Sequence, residues 1–167
     1  EVSRLAQERR LRVSVIGSGA GFTSGGLELR AVWPQRVVTA TDDDGSGPNN
    51  ASVVLLARTS GVSILLAGDV EPIAQAGLAR SLAGVHVDVL KVPHHGSRYQ
   101  DFGFLAGLRA RVAIISVGAG NDYGHPADVT LAALREAGLQ VRRTDLDGDV
   151  AVAVREGHLV TVTRDFE

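Results

Sequence analysis

Apolar and polar positions along this chain alternate between strand-like and helix-like spacing. Residues 27–33 (L-E-L-R-A-V-W) alternate before Pro34, which suits a half-buried strand. Two apolar runs, 52–58 and 62–67, flank Thr59-Ser60-Gly61 and read as a β-hairpin. Residues 85–90 and 112–117 are rich in Val, Ile and Leu, as buried strands are, and Pro93 closes the first of them. Helical spacing appears at 71–82, with Ile73, Ala76, Leu78 and Leu82 inward and Gly84 as a stop. It recurs at 102–108, with Phe104, Leu105 and Leu108 inward, and at 126–137, terminated by Gly138. Strands at 139–144, 150–154 and 159–162 close the chain, the first two joined by a hairpin turn at Asp147-Gly148.

The N-terminal quarter is less regular. Residues 1–10 predict a polar helix with Val2, Leu5 and Ala6 on one side, too short to stand alone. A short strand is expected at 12–16 and a loop at 39–50, where Asp42-Asp43-Asp44 reads as a solvated run. The glycines of V-I-G-S-G-A-G at 15–21 superficially suggest a nucleotide loop. That motif needs a following helix whose N-terminus receives phosphate, and here a strand follows, so the glycines read as a flexible connection.

Composition narrows the chemistry. The 167 residues carry a formal charge of −2, which calls for neither nucleic acid nor an acidic membrane surface. The absence of cysteine excludes disulfides, thiolate zinc sites and a cysteine nucleophile. No apolar run reaches the ~20 residues of a membrane helix. The first residue is not Met, which fits a piece of a longer protein.

Candidate chemistry sits just past three strand ends. Gly68-Asp69 follows one; Asp69 either projects into a cleft or caps the next helix. His94-His95, between Pro93 and Gly96, follows another, placed to hold a metal or shuttle protons, or simply lying in a turn. His125 lies in the loop after the third, with Asn121 and Tyr123. In a layered α/β fold such ends converge on one rim. One carboxylate with two or three imidazoles suits Zn²⁺ or Mn²⁺. His86 and His158 read as structural or solvent-facing. A calcium loop at 145–156 fails, because Val150 occupies the position that needs Gly.

These pieces carry a resemblance. G-D-V-E at 68–71, D-V-L-K-V-P-H-H-G-S at 88–97, I-I-S-V-G at 114–118 and Y-G-H-P at 123–126 resemble, in order and spacing, the metallo-β-lactamase-like domain of the ComEC family of DNA-uptake proteins. N-N-A-S at 49–52 also fits, and the likeness spans roughly residues 27–155. It implies an αββα sandwich with metals at one edge. It implies Asp69 as a metal-bridging carboxylate and His94 or His95 as a ligand; we take His94, with Asp69 and His125, as the metal set and His95 with His125 as catalytic. Ser97, Lys91 and Asn50 become supporting or substrate-contacting groups, or hydrogen bonds that merely shape loops.

The family's first metal motif, H-x-x-x-D-H, has no counterpart in residues 1–50. The chain is therefore expected to be one domain, a partial sandwich lacking its N-terminal metal-motif portion. The implied function is metal-dependent hydrolysis of DNA phosphodiesters during competence-linked uptake, on the extracytoplasmic face of the membrane, with the transmembrane channel portion of the same parent as partner. Two alternatives stand beside it: a non-catalytic structural or DNA-binding module with a degenerate site, and a hydrolase of small esters. Arg98 and Tyr99 are the candidates for DNA contact.

Overall fold

The computed structural model describes residues 2–35 and 47–164; the aspartate run at 42–44 and most of the loop expected at 39–50 lie outside them. A short helix α1 (Val2–Glu8) precedes an antiparallel meander of β1 (Gly21–Ser24), β2 (Leu27–Trp33), β3 (Val54–Thr59) and β4 (Val62–Leu66), with a helical turn α2 (Gly47–Asn50) between β2 and β3. Three parallel strands then extend the same sheet: β5 (Val89–Lys91), β6 (Val112–Ile115) and β7 (Gln140–Arg143). Parallel neighbours need long crossovers. These are supplied by α3 (Pro72–Ser81), α4 (Phe102–Gly107) and α5 (Asp128–Glu136). The seven strands lie in chain order. A last helical turn, α6 (Thr144–Asp147), leads to a separate hairpin of β8 (Asp149–Arg155) and β9 (His158–Arg164).

Successive side chains of a strand face opposite sides of the sheet. Leu65, Leu90, Ala113 and Ile115 point to the helical side and pack with Ala74, Leu78, Phe104, Leu105, Leu131 and Leu134. Their neighbours Val62, Val89 and Val112 point the other way, where Val152 and Leu159 of the hairpin cover them. The sheet is thus sandwiched between helices and a second small sheet.

Several expectations change. Residues 12–16 form no strand: Val13 and Val15 are exposed and have no sheet partner. The glycine stretch instead leads into β1, which begins at its last residue, Gly21, and turns back onto β2 through Gly25-Gly26. The expected hairpin at Asp147-Gly148 is absent, because β7 and β8 belong to different sheets; α6 intervenes, and the hairpin turn is Glu156-Gly157. The strand at 85–90 shrinks to β5, which leaves His86 exposed ahead of it. In α3 the buried face is Ala74, Gln75, Gly77 and Leu78, while Ile73 is 74% exposed. The reason is Trp33: its ring lies so close that a Cβ on Gly77 would sit 2.6 Å from it, which turns that face of the helix inward.

Candidate active site

β4, β5 and β6 are adjacent and parallel, so the segments leaving their C-terminal ends share one edge of the sheet. Those segments carry Asp69, His94-His95 and His125. The structure brings them to one edge in pairs, Asp69 with His95 and His94 with His125.

Asp69 is set by the N-N-A-S segment. Ser52 Oγ accepts the Asp69 amide at 3.2 Å, and Asn50 Oδ1 accepts the amides of Glu71 and Ala74 at 3.1 and 3.4 Å. Asn49 donates to Glu71 Oε1 at 2.8 Å. Asn50 therefore supplies the helix cap expected of Asp69, and the Asp69 carboxylate stays free for the edge. Gly68 makes this approach possible. Its φ is +58°, and any Cβ there would meet Ser52 Cβ at 2.8 Å.

The histidine turn, a 3₁₀ turn over Pro93–Gly96, is bent the unusual way. His94 and His95 both adopt left-handed backbone angles (φ 47°, ψ 45° and φ 52°, ψ 24°), at a typical cost of about 1–2 kcal/mol per residue. Gly96 continues the turn at φ +77°, and its missing side chain admits Pro126, which a Cβ would meet at 2.8 Å. The Gly96 carbonyl accepts the Ala127 amide at 2.9 Å. H-H-G and G-H-P are thus zipped together, and the His94 and His125 rings meet edge-on at 5.5 Å.

Two pairs result. His95 Nδ1 lies 2.6 Å from the Ser116 carbonyl, a contact that requires N–H on Nδ1 and, in the neutral ring, puts the lone pair on Nε2. That Nε2 faces Asp69 Oδ1 at 3.5 Å. His94 Nδ1 sits 3.2 Å from Glu71 Oε1, yet the buried nitrogen makes no hydrogen bond there. Lys91 Nζ lies 3.5 Å from Asp69 Oδ1 and donates to the Gly68 carbonyl at 3.0 Å. Burial pushes the Lys91 ammonium below its ordinary pKa, and the Asp69 carboxylate partly restores it. Burial lowers His125 as well, reinforced by the neighbouring His94 and His95 rings.

The donor chemistry suits a divalent cation, since carboxylate and imidazole are its usual ligands. Among the described residues, however, no group of three or more such side chains is gathered closely enough to hold an ion. The edge presents pairs, not a closed set. Glu71 joins this edge beside His94 although the sequence reading assigns it no role; its place in G-D-V-E, two residues after Asp69, is the signal that marks it. Ser97 is fully buried and so touches no substrate, whereas Arg98 and Tyr99 are exposed.

No family model matches the sequence. The chain is 30% identical over 151 residues to ComE operon protein 3 of Bacillus subtilis, covering 90% of this chain and 19% of that protein. It is 31% identical over 111 residues to competence protein ComA of Neisseria gonorrhoeae, covering 65% of this chain and 16% of the relative. The chain therefore spans less than a fifth of either relative. The crystal structure of a candidate metal-dependent hydrolase of Parabacteroides distasonis superposes with a TM-score of 0.52 at 19% identity, over 85% of this chain and 62% of that one. The shared fold is metallo-β-lactamase-like, and the chain is homologous to one segment of the ComEC-family competence proteins.

Proposed function

We propose that this chain carries one edge of the active site of a metal-dependent hydrolase that cleaves DNA phosphodiester bonds during DNA uptake. The observation that carries the reading is the pairing of Asp69 Oδ1 with His95 Nε2, whose lone pair is freed by the bond to Ser116. Two electron-pair donors facing each other call for a proton or a cation between them. Asp69, one of His94 and His95, and His125 would hold the ion, Zn²⁺ or Mn²⁺. When bound, such an ion supplies Lewis acidity and an acidified water. Lys91 offsets the Asp69 charge, and His125, whose pKa is lowered by burial and the neighbouring rings, would accept or return a proton at the substrate side where it does not serve as a ligand. We assign the remaining donors to the H-x-x-x-D-H motif of the family, which residues 1–50 do not contain. On this reading the chain is the C-terminal part of a domain joined to a transmembrane channel and facing the outside of the bacterial membrane. Among the described residues no helix is long and apolar enough to cross a membrane.

That no three-donor cluster is gathered among the described residues favours a second reading, a structural or DNA-binding module of the uptake machinery without catalysis. Metal content after incubation with Mn²⁺ or Zn²⁺ and desalting, together with cleavage of labelled DNA, separates the two. Ion retention and cleavage that both disappear in Asp69→Ala support the hydrolase. DNA binding without ion or cleavage supports the module.

A further inference from the structure

The four buried polar side chains among the described residues are Gln75, Ser97, Gln100 and Thr130, and all four belong to one network behind the histidine turn. Buried amides are costly unless their hydrogens and oxygens find partners. Here both hydrogens and the oxygen of each amide are engaged. Gln100 Nε2 donates to the Pro93 carbonyl at 3.1 Å and to the Ser97 carbonyl at 3.2 Å, the two carbonyls that bracket His94-His95-Gly96. Gln100 Oε1 accepts from Gln75 Nε2 at 2.8 Å. Gln75 spends its other hydrogen on the Val70 carbonyl at 2.7 Å, and its Oε1 accepts the Asp101 amide at 2.6 Å. Thr130 Oγ1, from α5, adds a second bond to Ser97 O at 2.7 Å. Only this orientation of both amides serves all the carbonyls they meet.

We propose that the Gln75–Gln100 pair is the positioning device of the candidate site. Gln100 clamps both ends of the histidine turn and so holds two non-glycine residues in left-handed angles that they would otherwise leave. Gln75 is the strut that fixes the distance from this turn to Asp69-Val70-Glu71. Neither glutamine touches the edge itself; each acts through the backbone next to the residues that do. The conformational part of the proposal stands on the hydrogen bonds alone, and only the ion-binding part rests on the reading above.

The test is solution NMR of the labelled chain at a pH where the imidazoles are neutral. The wild type is expected to show the strong intraresidue amide–Hα cross-peaks of positive φ at His94 and His95, and the Nδ1–H tautomer at His95. Their absence would overturn the proposal at once. Gln100→Met keeps the volume and removes the clamp. It is expected to lose both signatures while the β4, β5 and β6 amide shifts persist, a pattern that general destabilisation does not produce. Signatures unchanged in the folded variant would also overturn the proposal. Should Gln100→Met not fold, Gln75→Met decides on the same signatures, with partial loss expected because the clamp remains but its anchor is gone. In parallel, titration with Mn²⁺ alone is expected to show half-saturation raised about tenfold in the folded variants. A wild type that takes no Mn²⁺ counts against the metal reading and leaves the NMR result standing.

Discussion

The parallel strands and the N-terminal rim use the same residue types to opposite effect. In β4 and β5, Leu65 and Leu90 are wholly inaccessible, while Leu11, Val13 and Val15 are 64–78% exposed. Aliphatic content does not separate the two regions. Partners do. Leu90 has strands on both sides, helices on its own face and the hairpin behind it, whereas residues 12–16 pair with no strand. A strand is stable only when its amides and carbonyls find a ladder and its side chains a second layer. The candidate site stands on the region that has both, and this is why it can afford a strained turn.

Substitutions can sharpen or break that contrast. Leu90→Ala should cost about 3 kcal/mol in urea unfolding, since it leaves a cavity where both layers meet. Gly68→Ala should cost about 2 kcal/mol, through left-handed strain and the Ser52 contact. Ser52→Gly in the same chain should recover part of that loss, and a purely additive double variant would refute the steric account. Asn50→Ala removes the acceptor at the start of α3 and should lower stability by about 1 kcal/mol, measured as a lower Tm.

Near the small sheet, the hydrogen bond and charge of Arg143 hold the Asp145 carboxyl below its ordinary pKa. A depressed carboxyl contributes stability above its unfolded value of about 4, and that contribution is lost as pH falls through the folded value. Asp145→Asn should therefore flatten the acid limb of the stability curve. The effect at neutral pH should be under about 1 kcal/mol, because solvent screens a pair this near the surface. Smallest of all, Val15→Ser should change stability by less than about 0.5 kcal/mol. A loss near that of Leu90→Ala would show that the rim is packed in solution and would dissolve the comparison.

Much of the fold was legible. The 3.6-residue spacing of Phe104, Leu105 and Leu108 and the apolar runs at 62–67 and 112–117 led to α4, β4 and β6 because those segments bury the faces that their own patterns mark. Ile73 and the Asp147-Gly148 turn misled for a common reason. Each is a good local signal, overruled by a distant partner: Trp33 against Gly77 in the first case, the assignment of β7 and β8 to separate sheets in the second.

At the candidate site, residue type and position relative to strand ends were enough to nominate Asp69, His94, His95 and His125, because polar groups past buried strands are both rigidly held and accessible. Local sequence by itself also located β2 to β9, with shifted bounds, most of the helices and the resemblance that ties H-H-G-S to G-H-P. Only the tertiary structure decided which groups pair: Asp69 with His95, Glu71 with His94. It alone revealed Gln75 and Gln100 as the frame behind them. A glutamine, whether in a helix like Gln75 or in a loop like Gln100, carries no periodic signal of its purpose. Its meaning comes from carbonyls brought to it by a strand order and crossovers that no short window of sequence contains.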